Sequence, residues 1–327
     1  MSAGPSSDSA QAVWQVSGGP ANRPYGDVFL RHGVALIGPG DPGPWTRERY
    51  AYDWSLQGFI GRLAEEVTDG DVLLLRSGLS TIVAVGMVVG EYLYLDAFDD
   101  VNGWDLQHAR RVRWFRLPEP YSFAQPVFGA SPTRISRVQD PDIVDYALRF
   151  VQSPPDHWKT APLPDLPAEE PALDVVPTEL QEVVATVLDL APLMRDGARW
   201  GDTPSESELV AHFVVPFVRA LGWPLELIAV EWRRLDVALF EALPRTASAC
   251  RVVIEAKRLD AGVEGALEQA KGYVASLQPL GEVHVVVTDG VRYRMFGGPP
   301  EFDHLAYANL VRLKRSAETL FSLLRRP

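Results

Sequence analysis

The front part of the chain alternates short apolar segments with turn residues, a pattern typical of β-strands. Five segments are rich in branched and aromatic side chains and are bounded by Gly and Asp. These predicted strands are residues 34–38, 71–76, 81–90, 91–98 and 110–117. Apolar residues at helical spacing predict helices over 54–67 and 141–151. We therefore expect a small mixed β-barrel with helices.

The rear part has longer helical patterns that alternate with strand-like segments, as in an α/β domain. Helices are predicted over 179–196, 205–222 and 263–277, and strand-like segments over 225–242, 250–258 and 282–297. Ser205 can cap the second helix, because Glu208 stands at the third helical position of a capping box. Asp289 and Gly290 predict a hairpin turn within the last segment.

Two breaks in composition divide the chain into domains. Small polar residues at the start predict a disordered tail over 1–22. Repeated prolines and acidic residues predict an extended linker over 152–178. The front domain would then span 23–151 and the rear domain 179–327.

Composition is that of a soluble globular protein. Of the 327 residues 46% are hydrophobic and 23% are charged, and no apolar run approaches the length of about 20 residues that spans a bilayer. The first residues have neither the basic nor the apolar region of a signal peptide, so we expect a cytoplasmic protein without a membrane partner. The single Cys250 excludes an internal disulfide and leaves too few thiols for a zinc cluster.

The charge balance limits how the chain can contact nucleic acid. A net charge of −12 argues against binding by bulk electrostatic attraction. Any such contact has to depend on local clusters of arginine, which accounts for all but four of the 31 basic residues. Arginine suits bidentate contact with phosphate better than lysine does. A genome that favours Arg codons is the simpler explanation for most of these residues.

Residues 252–259, "VVIEAKRL", combine a buried strand with reactive side chains. Glu255 and Lys257 stand two positions apart, so in a strand they project from the same face. Asp236 alternates with apolar residues in the preceding strand-like segment, and antiparallel pairing can bring all three side chains to one sheet edge. Hard cations that assist phosphodiester hydrolysis prefer carboxylate oxygens. The sequence therefore predicts a metal-assisted hydrolytic site.

Other residues extend this prediction or compete with it. Glu206, at the start of the preceding helix, can supply a further carboxylate, and Glu208 is its rival because spacing does not settle which of the two turns inward. Gln269, on the following helix, can orient a water or a phosphate. The alternative is structural: Asp236 and Lys257 would form an ordinary ion pair between strands, which contributes little.

The segments "LDVAL" and "VVIEAKR" resemble the PD-(D/E)XK nuclease superfamily. From about residue 205 to 297 the chain is similar to the nuclease domain at the front of type I restriction-enzyme motor subunits. The resemblance implies a restriction-endonuclease-like α/β fold and a Mg²⁺ or Mn²⁺ cofactor. It implies metal-binding roles for Asp236 and Glu255, and supporting roles for Lys257, Glu206 and Gln269.

Aromatic residues gather outside the predicted strands of the front domain. They are Trp45, Tyr50, Tyr52, Trp54 and Trp104. Flat side chains in loops can hold an unstacked base, since every base offers a π face. The alternative is that these aromatics fill the interior of a small barrel.

The segment "GDVLLLRSGLSTIVAVGMVVGEYLYLD" followed by "WDLQHARRVRWF" resembles the PUA-like superfamily, in particular EVE-type domains of modification-dependent restriction systems. The similarity covers about residues 27–118. It implies that the front domain holds a flipped, modified base in an aromatic cage. Trp45 and Trp104 are the cage residues that this resemblance implies.

The two resemblances together imply a modification-dependent DNA endonuclease of a bacterial restriction or anti-phage defence system. Cleavage of both strands requires two nuclease domains, so we expect a homodimer, at least on DNA. Two alternatives stay open. One is a nuclease that a small nucleotide signal activates through the front domain, and the other is an inactive nucleic-acid sensor.

Overall fold

The chain divides into two compact units, Met1–Glu169 and Glu170–Pro327, in agreement with the expected two-domain organisation. The computed structural model describes residues 11–20, 23–40, 42–51, 53–128, 134–153, 158–201, 203–261, 263, 266–277 and 283–326. None of the helices in this described part combines the length and the apolar character needed to cross a bilayer.

The front unit is built on one curled, mixed sheet. Its elements are β1 (Val13–Ser17), α1 (Gly26–His32), β2 (Val34–Ile37), α2 (Trp54–Gly61) with a π-helical turn (Arg62–Glu66), β3 (Val72–Ser77), β4 (Thr81–Tyr94), a 3₁₀ turn (Asp96–Phe98), β5 (His108–Ser122), β6 (Ile135–Arg137) and α3 (Pro141–Gln152). The strand order is β2-β5-β4-β3-β1-β6, and β1 runs parallel to β3 while the other neighbours are antiparallel. In the described residues β2 and β6 do not pair with each other, so the small mixed barrel that we expected is present as a curled half-barrel.

The predicted disordered tail is wrong for residues 13–17, which form β1. Trp14 is buried, and its indole N–H donates to the Asp71 carboxylate at 3.0 Å. Burial of apolar side chains against β3 stabilises this strand. The polar residues around it in the chain do not indicate this burial. Residues 1–10 of the predicted tail lie outside the described residues. The elements α1 and β6 were also not predicted.

One predicted turn is a bulge within a long strand. The sequence predicts separate strands over 81–90 and 91–98, whereas β4 is one strand of 14 residues that continues past Gly90 and ends at Tyr94. Gly90 has a φ of +80°, and the pairing with β5 shifts register between Val89 and Tyr92. A glycine inside a strand pattern often marks such a bulge, which bends the strand without ending it.

The predicted linker is extended, but parts of it pack on the two units. Trp158 is buried in the front unit, where Leu166 also contacts the core. In the rear unit Leu173 donates its N–H to the carbonyl of Leu313 at 2.9 Å, beside a β-bridge between Ala172 and Lys314. The predicted linker over 152–178 therefore carries apolar side chains that pack on one unit or the other, and Trp158 among them is buried.

The rear unit is an α/β domain with a second six-stranded sheet. Its elements are α4 (Thr178–Arg195), α5 (Gly197–Trp200), α6 (Glu206–Leu209), a π-helical turn (Val210–Val214), α7 (Val215–Ala220), a 3₁₀ turn (Leu225–Leu227), β7 (Ile228–Trp232), β8 (Leu235–Phe240), a 3₁₀ turn (Ala247–Ala249), β9 (Cys250–Ala256), α8 (Ala266–Leu277), β10 (His284–Thr288), β11 (Arg292–Phe296), β12 (His304–Asn309) and α9 (Ala317–Leu324). The strand order is β12-β11-β10-β9-β8-β7. Strands β9 and β10 are parallel and connected through α8, and the other neighbours are antiparallel.

The segment 225–242 is a hairpin and not one continuous strand. Trp232 pairs with Leu235, so the loop between β7 and β8 is Arg233–Arg234 alone. This turn was missed because it contains no Gly, Asn, Asp or Pro, the residues that normally mark a two-residue loop. The elements β12 and α9 were not predicted either.

The predicted turn at Asp289 and Gly290 is confirmed, and buried charges hold it. Gly290 has a φ of +85°, and a Cβ atom there would lie 2.7 Å from the Phe213 ring, so this position requires glycine. Asp289 is fully buried and accepts hydrogen bonds from the N–H groups of Val291 and Arg292. The Arg292 guanidinium contacts the Asp289 carboxylate at 2.8 Å and that of Asp260 at 3.0 Å.

The substitution Asp289→Ala should lower the free energy of unfolding by about 3–5 kcal/mol, because it removes one partner of a buried ion pair. Urea denaturation of the full chain measures this change. Asp174→Asn is the control, since Asp174 pairs with Arg315 on the surface at 3.0 Å and should cost under about 1 kcal/mol. Equal effects of the two substitutions would contradict the structural importance of the buried pair.

Candidate functional site

Strand pairing brings Asp236 and Glu255 together at one end of the rear sheet. In the antiparallel β8–β9 pair, Val237 lies opposite Ile254, and the next position along sets Asp236 opposite Glu255. Residues directly opposite in such a pair project from the same face. Asp236 Oδ2 accepts a hydrogen bond from the N–H of Ala256 at 2.7 Å, which holds its carboxylate beside the end of β9.

Lys257 lies just beyond the end of β9 and pairs with Glu255. Its backbone N–H donates to the carbonyl of Thr288 at 2.8 Å, and its Nζ donates to Glu255 Oε1 at 2.9 Å and to the Ala256 carbonyl at 3.0 Å. The Glu255 side chain is 1% exposed and that of Lys257 is 20% exposed. In the described residues Lys257 therefore pairs with Glu255, and the alternative ion pair with Asp236 is not formed.

Burial dominates the electrostatics of Glu255. Desolvation raises the pKa of this carboxyl from 4.5 to about 6. The hydrogen bond and the charge of Lys257 lower the pKa, whereas the negative charges of Asp236 and Glu206 raise it. A carboxyl with a pKa displaced towards neutrality by burial and by named charges is a candidate functional group.

Asp236 has the same electrostatic character in weaker form. Burial raises the pKa of its carboxyl, and the negative charges of Glu206 and Glu231 raise it further. The Ala256 N–H and the positive charge of Lys257 act in the opposite direction. Four carboxylates therefore influence one another around a single ammonium group.

The structure distinguishes the two helix glutamates that the sequence left open. Glu208 completes the predicted capping box: its Oε2 accepts from the Ser205 N–H at 2.7 Å, and the Ser205 hydroxyl accepts from the Glu208 N–H at 3.2 Å. Glu206 is half-buried at the start of α6, and its charge acts on both Asp236 and Glu255. The charge of Glu206 thus acts on these two acids, whereas the Glu208 carboxylate is held at the helix cap.

Sequence reasoning missed Glu231. In the β7–β8 pair Val230 lies opposite Val237, and the next position sets Glu231 opposite Asp236. Its φ of +52° is a departure from ordinary strand geometry. The available signal was an acid five positions before Asp236, which becomes its neighbour only when a two-residue turn is placed between them.

Gln269 lies beside the β7–β8 hairpin but is not bonded to Asp236 or Glu255. It is exposed on α8, and its amide donates to the Tyr273 hydroxyl at 3.1 Å. In the described residues it makes no hydrogen bond to Asp236 or Glu255. It lines an open groove of ≈ 610 Å³ together with Arg233, Arg234, Glu268, Gly272 and Tyr273.

The residues present fit a hard cation held by two carboxylates. Glu255 Oε2 is buried and has no hydrogen-bond partner among the described residues. Leaving such an atom unsatisfied costs on the order of 1–3 kcal/mol or more, and a cation removes this cost. Within the described ranges no group of three or more His, Cys, Asp or Glu side chains is arranged as a ligand set. Mg²⁺ suits a site of one or two carboxylates, because it retains several waters and accepts substrate phosphate oxygens.

The two predicted cage residues of the front unit occupy separate aromatic clusters. The Trp45 ring stacks on Tyr50 with centroids 5.6 Å apart, and its indole N–H donates to Glu65 at 2.9 Å. The Trp104 ring lies 5.8 Å from that of Tyr25, with a cation–π contact from Arg23 at 4.0 Å. No ring contact joins the two tryptophans in the part of the chain that the structure describes.

Both clusters border the core of the front unit, as the alternative of aromatic packing requires. Trp45 and Trp104 are each half-buried and pack against the same hydrophobic core. Tyr50 is fully buried, and its hydroxyl bonds to His108 Nε2 at 2.7 Å. Trp54 is 85% exposed, and Tyr52 lies outside the described residues. Each half-buried indole retains an accessible portion of its ring.

The substitution Glu255→Gln should raise the free energy of unfolding at pH 8 by about 2 kcal/mol. This value follows from the difference between the pKa of about 6 in the folded chain and the pKa of 4.5 of the free side chain. Above pH 6 the folded wild type holds a buried charge that the unfolded chain solvates better. As the pH falls from 6 to 4.5 the folded chain takes up this proton first, so wild-type stability rises and the difference disappears. Urea titrations of both proteins at several pH values without Mg²⁺ measure this difference in the free energy of unfolding.

Glu241→Gln is the matched control, because Glu241 is an exposed carboxylate paired with Arg251 at 2.7 Å. Its substitution should change the free energy of unfolding by under about 1 kcal/mol, because an exposed ion pair contributes little. A Glu255→Gln protein that is less stable than the wild type at pH 8 would contradict the dominance of desolvation.

Comparison with known protein families finds a match, which lies within the front unit. Residues 14–130 match the family described as "Domain of unknown function (DUF8426)". This match covers 117 of the 327 residues, and its description names no ligand or activity. No curated protein matches the chain.

Proposed function

We propose that this chain is a Mg²⁺-dependent DNA endonuclease whose rear unit cleaves and whose front unit selects DNA with a modified base. The observation that carries the proposal is the buried Oε2 of Glu255, which has no hydrogen-bond partner in the part of the chain that the structure describes and stands beside Asp236 and Lys257. The resemblance of these segments to PD-(D/E)XK nucleases supports it, as does the antiparallel pairing that sets the acids side by side.

Asp236 and Glu255 would hold the cation. When bound, Mg²⁺ (or Mn²⁺) neutralises phosphate charge and lowers the pKa of a water ligand. The sheet contributes rigidity, because Asp236 is fixed by the backbone of Ala256 and Glu255 stands within a central strand. The two carboxylates therefore need little rearrangement to accept a cation.

Lys257 would act on the phosphate and the attacking water. Its Nζ is partly exposed, and it keeps a hydrogen bond to Glu255 at the edge of the cluster. From this position the ammonium can stabilise the negative charge that develops on the phosphate and orient the water. Glu206 adds negative charge from α6, which favours cation binding and supports the two ligands.

The front unit would supply selectivity. Its PUA-like character is proposed from the sequence resemblance, and the half-buried Trp45 and Trp104 each offer part of a ring to a base. The separation of their clusters implies that one tryptophan, and not a sandwich of both, stacks on the base. We place the protein in a bacterial restriction or anti-phage defence system and expect it to act as a homodimer on DNA, since cleavage of a duplex requires two centres.

Lys257→Ala should reduce the rate of cleavage of modified DNA in Mg²⁺ by about 10²–10³-fold, the usual effect of removing one group that stabilises transition-state charge. Asp236→Asn should reduce it at least as much, because it weakens cation binding as well. The measurement is nicking of plasmid DNA that carries defined cytosine or adenine modifications. Lys159→Ala, at an exposed position of the front unit, should retain the wild-type rate. Retained cleavage by Lys257→Ala would contradict the proposed centre.

Trp45→Ala or Trp104→Ala should lower the preference for modified over unmodified DNA by about tenfold, since stacking of one base contributes about 1–3 kcal/mol. The measured quantity is the ratio of the two cleavage rates, which a general loss of folded protein does not change. Trp54→Ala is the matched control at an exposed tryptophan. Equal cleavage of both DNAs by the wild type would remove the sensing role while leaving the nuclease proposal intact.

A further inference from the structure

The turn between β7 and β8 holds two arginines in an unfavourable backbone conformation. Arg233 has a φ of +52° and Arg234 a φ of +73°. A two-residue hairpin loop of type I′ requires positive φ at both positions, and Asn-Gly is the pair that adopts it readily. Each non-glycine residue held in the left-handed region costs on the order of 1 kcal/mol or more.

Both guanidinium groups are available for a ligand. Arg233 and Arg234 are exposed, and in the described residues neither forms an ion pair or a hydrogen bond through its side chain. Arg233 lies over the ring of Trp232 at 4.7 Å, a contact that leaves its N–H donors free. Many other arginines of the chain are paired with carboxylates, as with Arg251 and Arg325.

The surroundings of this turn favour an anion. The arginines line the ≈ 610 Å³ groove, whose acidic residue Glu268 is already paired with Lys271 at 2.7 Å. Gly272 also lines the groove, and a Cβ atom added there would meet no other atom within 4 Å, so the groove is open at this point. The charged side chains that line the groove, two arginines and one glutamate, therefore sum to +1, whereas the chain as a whole has a net charge of −12.

The turn also lies close to the proposed cleavage centre. Arg234 stands two residues before Asp236 on the same hairpin, and at about 3.3 Å per residue both arginines are within roughly 10 Å of it. Successive phosphates of one DNA strand rise about 3.4 Å along the helix axis. The reach from Asp236 to the arginines thus corresponds to one to three nucleotides.

We infer that the Arg233–Arg234 turn binds the DNA backbone next to the scissile phosphate and orients the substrate in the groove beside Asp236. This inference rests on the proposed nuclease function. The arginines act as positioning residues, since they contact phosphates that do not react. Unpaired guanidinium groups suit this role because they bind phosphate oxygens in a bidentate manner.

The test replaces the turn with the sequence that its backbone prefers. Arg233→Asn combined with Arg234→Gly should raise the Tm, because the strained residues are removed, and should weaken DNA binding. Fluorescence anisotropy with a labelled duplex and the full chain, in Ca²⁺ to prevent turnover, gives the affinity between 50 and 200 mM salt. Loss of two phosphate contacts reduces the salt slope by about 1.8, so over this range the wild type should lose about tenfold more affinity than the variant.

The control removes the same charge at the other edge of the sheet. The control variant combines Arg315→Gln with Arg325→Gln. These residues lie next to α9 and the edge strand β12, whereas the Arg233–Arg234 turn follows the opposite edge strand, β7. This control should keep the wild-type salt slope. If the Arg233→Asn, Arg234→Gly variant has a higher Tm but the salt slope of the wild type, the inference is overturned. Cleavage of DNA by the wild type would then still uphold the proposed nuclease function. A wild type that neither binds nor cleaves DNA would overturn both, and tighter binding to an RNA duplex would overturn the assignment to DNA.

Discussion

Burial of the Glu255 carboxylate is the constraint on which the rear unit's site depends. A carboxylate in an apolar environment is driven towards its neutral form, and only nearby positive charge opposes this. The Lys257 ammonium supplies one positive charge and donates a hydrogen bond to Glu255 Oε1, while Glu255 Oε2 has no hydrogen-bond partner among the described residues. Because Asp236 and Glu206 add negative charge, one ammonium does not compensate the cluster. The site is therefore better satisfied by a cation than by the protein alone.

The rear sheet makes this burial possible by placing β9 at its centre. Strand β9 has β8 on one side and β10 on the other, so groups from three strands meet at one end of it. The same arrangement connects fold stability to the site: the Lys257 N–H bonds to the carbonyl of Thr288, which directly precedes the buried Asp289 turn. The ion pairs of Arg292 that hold this turn thus also fix the backbone from which the lysine projects.

Much of this organisation could be predicted from the sequence. The apolar run before Glu255, the capping box at Ser205 and the turn at Asp289 are local signals, and the structure places each as expected. What could not be predicted depends on pairing between distant residues. β1 is a strand because Trp14 meets Asp71, and Glu231 reaches Asp236 only through a turn that carries no turn residue. Trp45 and Trp104 were grouped by residue type, whereas each packs on a different tyrosine, Tyr50 and Tyr25, respectively.

Two departures from local rules lie within one region of the chain. Glu255 has a buried oxygen without a hydrogen-bond partner among the described residues, and Glu231, Arg233 and Arg234 have positive φ values where glycine or asparagine is favoured. Both departures lower the stability of the folded chain, and under the proposed function both place charge where the phosphodiester and its cation would bind. Violations of this kind are expected at functional sites, where the ligand offsets the cost. Under the proposed function, a chain of net charge −12 needs positive charge beside its carboxylates to hold a phosphodiester there, and the two arginines of the β7–β8 hairpin would supply it.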